Sequence, residues 1–251
     1  MLYLTAITPV HPTHAHLQFY KSQGDAYDGF RESLLPGRDL LQKYCLPWAE
    51  APKVWISVGC GTARDIEYVI GHLKQCGTHL FLLDLSPALL EMAQARVAKH
   101  GLQTQVTLVV ADILKAYKPS GQPDPSAFTI LPGSAKTTLP PLGTADIVTC
   151  SYCLTMIPPW EAALEVMVSM LKKGGSLALI DFTKREDCPG HWTQALNGWW
   201  FSNDGVYFNE KHTAFLKGHA SLETVWYHEA EGRVPFTPLQ ATHYLWTGTK
   251  K

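Results

Sequence analysis

The sequence predicts an α/β protein built on a doubly wound, mainly parallel sheet of seven strands. Between residues 54 and 182, short β-branched runs alternate five times with helical patterns, which is the order that parallel sheets require. The first run ends in two glycines one residue apart and passes directly into a helical pattern. Two closing β-like runs, at about 221–231 and 241–249, add an antiparallel edge.

The bulk composition favours one domain over 1–251. The chain has 251 residues, of which 46% are hydrophobic and 17% are charged, enough for one good-sized core. A formal net charge of -1 gives no electrostatic support for a nucleic-acid partner. Apolar runs fall short of the roughly 18 residues that span a membrane, and the first residues lack the basic start of a signal peptide. We therefore expect a cytoplasmic protein without a transmembrane segment.

Three segments depart from the alternation of strands and helices. Residues 1–50 indicate an N-terminal helical cap that Pro36-Gly37 interrupts. Residues 115–144 contain six prolines and are interpreted as a surface insertion. Residues 183–220 are rich in aromatic side chains and are expected to lie on the substrate side.

The individual elements have local signals. Ser86-Pro87 predicts a helix start, because serine caps the helix and proline suits its first turn. Pro158-Pro159 opens another helix, which Gly174-Gly175 ends. The helix after the first strand is expected to run through about residue 76 as one piece. The five parallel strands are expected at 54–59, 80–85, 106–112, 145–151 and 176–182.

The run Val54-Trp-Ile-Ser-Val-Gly-Cys-Gly-Thr62, here called the glycine corner, indicates a nucleotide-type site. Glycines allow the tight turn and a close ligand, and free amides at a helix start attract negative groups. Asp84 and Asp112 end the next two strands at the edge where such sheets bind ligands. Asp84 can accept both hydroxyls of a ribose, and Asp112 can accept from an adenine amino group. The alternative for Asp84 is a helix cap, although Ser86 already fills that role.

The six cysteines follow no disulfide framework. Cys150 and Cys153 form the only C-x-x-C, and buried free thiols at a strand end are expected. His11, His14 and His16 are interpreted as an exposed polar lead-in, so no metal site is predicted.

The choice of ligand follows from motifs taken together. A dinucleotide motif would need Gly or Ala at Arg64, so an NAD-dependent oxidoreductase is a remote alternative. Gly59-Cys-Gly-Thr-Ala63, Leu82-Leu-Asp-Leu-Ser-Pro87 and Ala111-Asp-Ile113 together resemble class I S-adenosylmethionine-dependent methyltransferases of Rossmann-like fold.

A finer resemblance extends from about His16 to Gly248. The segments 27–38, 151–160 and 191–206 are similar to the N-methyltransferases of betaine-lipid synthesis, and 151–160 is the most specific match. In two departures, Ser57 replaces an acid that is usual two residues before the first glycine, and Ala63 replaces a usual glycine. Both positions touch the methionine end of the cofactor in that family.

The resemblance implies successive methylation of the homoserine amine of diacylglyceryl homoserine, with S-adenosylmethionine as the cofactor. The resemblance also implies two partners. One is a lipid headgroup at a membrane surface, with which the protein would associate peripherally, and the other is a fused or separate lipid-homoserine synthase. Two alternatives stay open: a methyltransferase of a soluble amine or hydroxyl, and a non-catalytic S-adenosylmethionine-binding module.

The predicted site combines strand-end positions with the resemblance. Tyr152 and His191 are the predicted catalytic residues, which orient the amine or relay its proton. A strong base is optional, because a nearby sulfonium lowers the pKa of the amine. Arg31 and Arg38 belong to the N-terminal segment 27–38, here called the leader. The alternative to cofactor binding by these two arginines is that they lie on a solvated helix face. The predicted cofactor contacts are Tyr20 before the leader, Tyr27, Arg31 and Arg38 within it, Gly59, Cys60, Gly61 and Thr62 in the glycine corner, and Asp84, Leu85, Asp112, Ile113 and Ser151 at strand ends.

Aromatic residues of the 183–220 segment are candidates to surround a quaternary ammonium product. Ordinary core packing is the alternative and is expected for about half of them. Adjacent Trp199 and Trp200 cannot both face inward on a helix, so one is expected at a surface that contacts a membrane. The candidates are Trp192, Trp199, Trp200, Phe201, Tyr207 and Phe208.

Overall fold

The computed structural model describes residues 35–44, 51–184, 208–233 and 240–251. Its strands form one eight-stranded sheet in the order β4-β3-β2-β1-β5-β6-β8-β7. The strands are β1 (Val54–Val58), β2 (His79–Asp84), β3 (Val106–Ala111), β4 (Phe128–Ile130), β5 (Ala145–Ser151), β6 (Leu171–Phe182), β7 (Leu222–Arg233) and β8 (Gln240–Lys250).

The pairing confirms a mainly parallel sheet with an antiparallel C-terminal pair. Strands β3, β2, β1, β5 and β6 pair in parallel, and β8 pairs antiparallel with both β6 and β7. The strand order reverses between β1 and β5, and such sheets bind ligands at this switch point.

The expected number of seven strands was wrong for the described residues. The eighth strand, β4, comes from the proline-rich insertion and pairs antiparallel with β3, with Val109 opposite Ile130 and Ala111 opposite Phe128. Ala116 and Leu139 of the same insertion are buried in the core. The insertion therefore closes one edge of the sheet rather than lying wholly on the surface.

The helices cover both faces of the sheet. The helices are α1 (Arg38–Tyr44), α2 (Ile70–Cys76), α3 (Pro87–Lys99), α4 (Trp160–Met170) and α5 (Lys211–Gly218). One face of the sheet packs under α1, α2 and α3, and the other packs under α4 and α5, which is how a parallel sheet is protected from water. Among the described residues, no helix is long and apolar enough to cross a membrane.

The helix after β1 is broken, in contrast to the continuous helix expected from the sequence. A 3-10 helix spans Arg64–Tyr68, and α2 begins only at Ile70. Val69 separates them at φ -129°, and Ala63 enters the 3-10 helix in the left-handed region at φ 54°. The chain therefore leaves the glycine corner as a tight 3-10 turn, which sets Asp65 beside α1.

Candidate active site

The glycine corner has an alternating left-handed backbone. Gly59, Gly61 and Ala63 have φ values of 64°, 55° and 54°, a region that L side chains rarely adopt. A Cβ on Gly59 would lie 2.1 Å from Sγ of Cys153, so the corner packs directly on the segment after β5. A Cβ on Gly61 would meet no atom within 4 Å, so this side of the corner is open to a ligand.

Strand β2 and helix α3 hold the corner in place. The Cys60 amide donates to the Leu83 carbonyl at 3.0 Å, and the Gly61 amide donates to Oδ2 of Asp84 at 2.7 Å. Nη1 of Arg96 donates to the Thr62 carbonyl, while Nε of the same residue pairs with Glu67 at 3.2 Å. The predicted corner residues are therefore fixed through their backbone amides and carbonyls.

Asp84 lies at the carboxyl end of β2 and is partly exposed. Its Oδ1 accepts from the Ser86 amide at 2.9 Å, while Oδ2 accepts from Gly61. The cap of α3 is Ser86, whose Oγ accepts from the Leu89 amide at 3.4 Å. Asp84 thus organises the corner from a partly exposed position beside Gly61, and its binding of the ribose hydroxyls stays a prediction.

The other predicted strand-end contacts border the same edge. Oδ1 of Asp112 accepts from the Leu114 amide at 3.1 Å, and Oδ2 pairs with Lys115 at 3.1 Å. Lys115 is largely exposed, so this pair contributes little to stability. Ile113 is buried, whereas Leu85 is 58% exposed directly after Asp84.

Arg38 forms an ion pair that the sequence did not reveal. Its Nε donates to Oδ1 of Asp65 at 2.6 Å, and Nη2 contacts the same oxygen. Nε2 of Gln42 donates to Oδ2 of Asp65 at 3.3 Å. Helix α1 is thereby attached to the 3-10 helix after the glycine corner. The predicted contact between Arg38 and a cofactor carboxylate stays a prediction.

Ser151 is the last residue of β5 at the switch point, and Tyr152 follows it. The Ser151 Oγ is buried and has no hydrogen-bond partner among the described residues. Tyr152 is buried at φ 50°, and its hydroxyl donates to the Pro36 carbonyl at 2.6 Å. Burial, with the nearby Asp181 carboxylate, raises the pKa of Tyr152 well above its ordinary value. The sequence predicted that Tyr152 transfers a proton. The hydrogen bond to Pro36 and the raised pKa favour a structural role instead, in which Tyr152 holds the segment around Pro36 against the end of β5.

Asp181 is a buried carboxylate that the sequence interpretation did not assign. It is 1% exposed near the end of β6 and accepts from the Thr155 hydroxyl at 2.7 Å and from the Thr155 and Phe182 amides at 3.1 and 2.8 Å. Burial raises its pKa to about 6 despite these hydrogen bonds. The sequence did contain a signal for this residue, since Asp181 is an acid within the apolar run Ser176–Phe182. A charge inside a buried strand is costly unless it has hydrogen-bond partners.

The raised pKa of Asp181 predicts a pH-dependent stability. Below the ordinary carboxyl pKa near 4, both the folded and the unfolded protein hold this proton. As the pH rises, the unfolded chain releases it first, so the contribution of Asp181 to the free energy of unfolding falls until about pH 6. Relative to Asp181→Asn, we expect wild type to lose about 2 kcal/mol between pH 4.5 and 7.5. Urea unfolding of both proteins measures it, and a difference that does not change with pH would contradict the expectation.

A small cavity lies beside the glycine corner. Its volume is about 10 Å³, which is room for one group the size of a water molecule. Its walls include side chains of α1, β1, β2 and the 3-10 helix. The lining residues are Gln42, Trp55, Ser57, Cys60, Ala63, Asp65, Ile66, Leu80 and Leu82.

The remaining predicted contacts lie outside the described residues: Tyr20, Tyr27, Arg31 and His191. So do the aromatic candidates 192–207, whereas Phe208 packs on Phe182 with ring centroids 5.1 Å apart. The cysteines described are free thiols: Cys60, Cys76, Cys150 and Cys153.

The residues at this edge fit S-adenosylmethionine. Gly61 is open on the ligand side, the Asp84 carboxylate lies beside it at the end of β2, and the buried Ser151 Oγ at the end of β5 has no partner among the described residues. When bound, this cofactor supplies a methyl group on a sulfonium, and the chain's own residues supply its orientation.

Solved structures of methyltransferases share the fold. A protein described as an S-adenosylmethionine-dependent methyltransferase from Aquifex aeolicus is 15% identical, with 93% of this chain and 98% of that chain covered and a TM-score of 0.56. A putative sarcosine dimethylglycine methyltransferase from Galdieria sulphuraria is 12% identical, with 88% of each chain covered and a TM-score of 0.61.

A third structure contains bound ligands. The 1,6-didemethyltoxoflavin-N1-methyltransferase of Burkholderia thailandensis, with its substrate and S-adenosylhomocysteine, is 16% identical, covers 98% of this chain and 93% of that chain, and has a TM-score of 0.57. No curated protein matches the sequence significantly. A profile of the methyltransferase-domain family matches residues 27–224. The chain therefore belongs to this family, as a class I methyltransferase that uses S-adenosylmethionine.

Proposed function

We propose that the protein methylates an amine, and that this amine is the homoserine amine of diacylglyceryl homoserine. The observation that carries the choice of an amine is the set of groups at the ends of β5 and β6. Ser151 offers a hydroxyl, Tyr152 a hydroxyl that already donates, and Asp181 a carboxylate enclosed by three donors. None of these three is a solvent-facing base, which an alcohol acceptor would need.

An amine acceptor suits this arrangement. The neutral amine needs alignment with the methyl group and exclusion of water more than it needs a base. The adjacent sulfonium lowers the pKa of the incoming ammonium, so its proton can pass to water. The Ser151 Oγ can accept a hydrogen bond from the amine N–H and so orient the nitrogen. His191 stays the predicted proton relay.

A lipid-borne amine is supported by sequence resemblance and by exposed apolar side chains. The segment 151–160 carries the most specific resemblance to the N-methyltransferases of betaine-lipid synthesis. Met156 of that segment is 44% exposed, and Leu40 of α1 is 41% exposed. Met156 follows the carboxyl end of β5, and the hydrogen bond from Tyr152 to the Pro36 carbonyl ties the start of α1 to the same segment. We infer that these two side chains contribute to an apolar rim against which acyl chains can pack.

Labelled methyl transfer tests the proposal. The purified protein is incubated with labelled S-adenosylmethionine and vesicles that contain diacylglyceryl homoserine, or with soluble homoserine and related amines. Lipid extraction and mass analysis should find one, two and three added methyl groups on the lipid. Asp84→Ala serves as the matched control and should lower all products together.

Other outcomes separate the alternatives. Label in a soluble product but not in the lipid would replace the lipid with a small-molecule amine. Label on a hydroxyl would overturn the choice of an amine. Binding of S-adenosylhomocysteine without transfer to any acceptor would favour a non-catalytic binding module.

A further inference from the structure

We propose that Asp181 is a positioning residue for cofactor binding: from the end of β6, its carboxylate holds the segment after β5 against the glycine corner. The inference rests on S-adenosylmethionine as the cofactor and not on the identity of the acceptor. It therefore holds or fails independently of the lipid substrate proposed above.

The first step is the set of donors that Asp181 binds. A 3-10 helix, here called the strand-end helix, spans Leu154–Met156 shortly after β5. Oδ1 of Asp181 accepts from the Thr155 hydroxyl at 2.7 Å, Oδ2 accepts from the Thr155 amide at 3.1 Å, and the Leu154 amide also donates to this carboxylate. Cys153, at the N-cap, gives no side-chain hydrogen bond to the helix. Asp181 therefore supplies, from a neighbouring strand, the acceptor that a helix start needs.

The second step is the strained backbone that precedes the strand-end helix. Tyr152 has a φ of 50°, a conformation that a bulky side chain keeps only where its surroundings enforce it. Its amide donates to the Ile180 carbonyl at 2.8 Å, and Ile180 directly precedes Asp181. The end of β6 thus fixes Tyr152 through one hydrogen bond and the residues that follow it through the Asp181 carboxylate.

The third step is the contact between this segment and the glycine corner. Cys153 lies so close to Gly59 that a Cβ there would be 2.1 Å from its Sγ. Its thiol also forms a hydrogen bond with that of Cys150 at the end of β5. Because the contact has no free space, a shift of the strand-end helix is transmitted to Gly59 and to the amides of the corner.

The fourth step is the cost of the charge. Burial raises the pKa of Asp181 to about 6, so the carboxylate is present at neutral pH at the expense of stability. An ionised carboxylate only accepts hydrogen bonds, whereas an asparagine would turn a donor towards the donors of the strand-end helix. A charge that destabilises the fold but matches all its neighbours is typical of a group that fixes a functional segment.

The ionisable groups around Asp181 have little charge of their own near neutral pH. A hydrogen bond with Cys153 and burial raise the pKa of Cys150 well above its ordinary value, and burial raises the pKa values of Tyr152 and Tyr244 in the same direction. His212 contacts the Tyr244 hydroxyl at 3.4 Å, and burial lowers its pKa to about 4. His243 of β8 is opposite Phe182 and therefore on the other face of the sheet.

Calorimetric binding of S-adenosylhomocysteine and urea unfolding, both at pH 7.5, test the assignment. Asp181→Asn should weaken the ligand about threefold to tenfold, while its unfolding midpoint stays at or above that of wild type because a buried charge is gone. Thr155→Val keeps the shape of Thr155 but loses the hydroxyl, so it should weaken the ligand about twofold to fivefold. Thr155→Ser restores the hydroxyl and should bind like wild type. Asp39→Asn is the control, since Asp39 is an exposed acid that pairs only loosely with Lys43 at 4.0 Å.

A pH series separates positioning from general support of the fold. At pH 5 roughly a tenth of the Asp181 carboxyl stays charged, so the affinity of wild type should be about threefold to tenfold lower than at pH 7.5. Asp181→Asn lacks the titrating group and should change less than about twofold. The contribution of Asp181 to stability changes in the opposite direction, because the charged form is the destabilising one. A purely structural role would move affinity and stability together.

Three results would overturn the proposal. Asp181→Asn might bind S-adenosylhomocysteine like wild type, which would show that the corner does not depend on the carboxylate. Equal pH profiles of wild type and Asp181→Asn would assign the pH effect to another group. An affinity that fell only in step with the unfolding midpoint would leave Asp181 a support of the core alone. If Asp181→Asn does not fold, the Thr155 pair decides, since equal affinities of Thr155→Val and Thr155→Ser would reject the assignment.

Discussion

Gly59→Ala is expected to lower the free energy of unfolding by roughly 2–5 kcal/mol and to abolish measurable binding of S-adenosylhomocysteine. At φ 64°, a side chain at this position is strained, and its Cβ would lie 2.1 Å from Sγ and 2.5 Å from Cβ of Cys153. The overlap cannot be relieved without moving either the corner or the segment after β5, and both contain residues of the predicted cofactor site. Urea unfolding and calorimetry measure the two effects.

A second glycine separates the two causes. Gly77 at the end of α2 has nearly the same φ, 63°, but a Cβ there would meet nothing within 4 Å. Gly77→Ala should therefore show only the backbone cost, about 1–2 kcal/mol, with donor binding intact. Adding Cys153→Gly, which removes both Sγ and Cβ, to Gly59→Ala should recover roughly 1–3 kcal/mol. Equal losses at Gly59 and Gly77 would mean that contact with Cys153 contributes nothing.

The parallel strands and the glycine corner could be predicted because their signals are local. A β-branched run such as Val54–Val58 shows its strand in its own residues, and the glycines mark the turn that follows. Ser86 predicted the start of α3 because a cap bonds to an amide only three residues away. Departures from the expected pattern were also informative. The resemblance implied a glycine at position 63, and Ala63 takes the left-handed backbone there at φ 54°.

The missed features depend on contacts between distant residues. Strand β4 has three residues in a proline-rich segment, and it forms because β3 offers an unpaired edge. Asp65 and Arg38 are 27 positions apart, and nothing near either residue indicates the pair. The hydroxyl of Tyr152 reaches the Pro36 carbonyl across 116 positions, so a tyrosine at a strand end was easily interpreted as catalytic. Local patterns contain no information on such pairings.

Asp84→Ala is expected to weaken S-adenosylhomocysteine by more than about tenfold, through two losses that act together. The first is the proposed acceptor for the ribose hydroxyls, since a hydrogen bond to a charged group contributes about 1.5–3 kcal/mol. The second is the support of the Gly61 amide at 2.7 Å and of the Ser86 amide at 2.9 Å. Asp84→Asn keeps an acceptor for one of these amides, so its effect on stability should be smaller than that of alanine.

Asp112→Ala is the matched control for Asp84, because it removes an acid from the end of the neighbouring strand without touching the glycine corner. Asp112→Ala would remove one predicted hydrogen bond from an adenine amino group and no support of the corner, so its loss of affinity should be smaller than that of Asp84→Ala. Calorimetry with S-adenosylhomocysteine measures the affinity of both variants. If Asp84→Ala folds and binds this ligand like wild type, Asp84 serves only to shape the turn between β2 and α3.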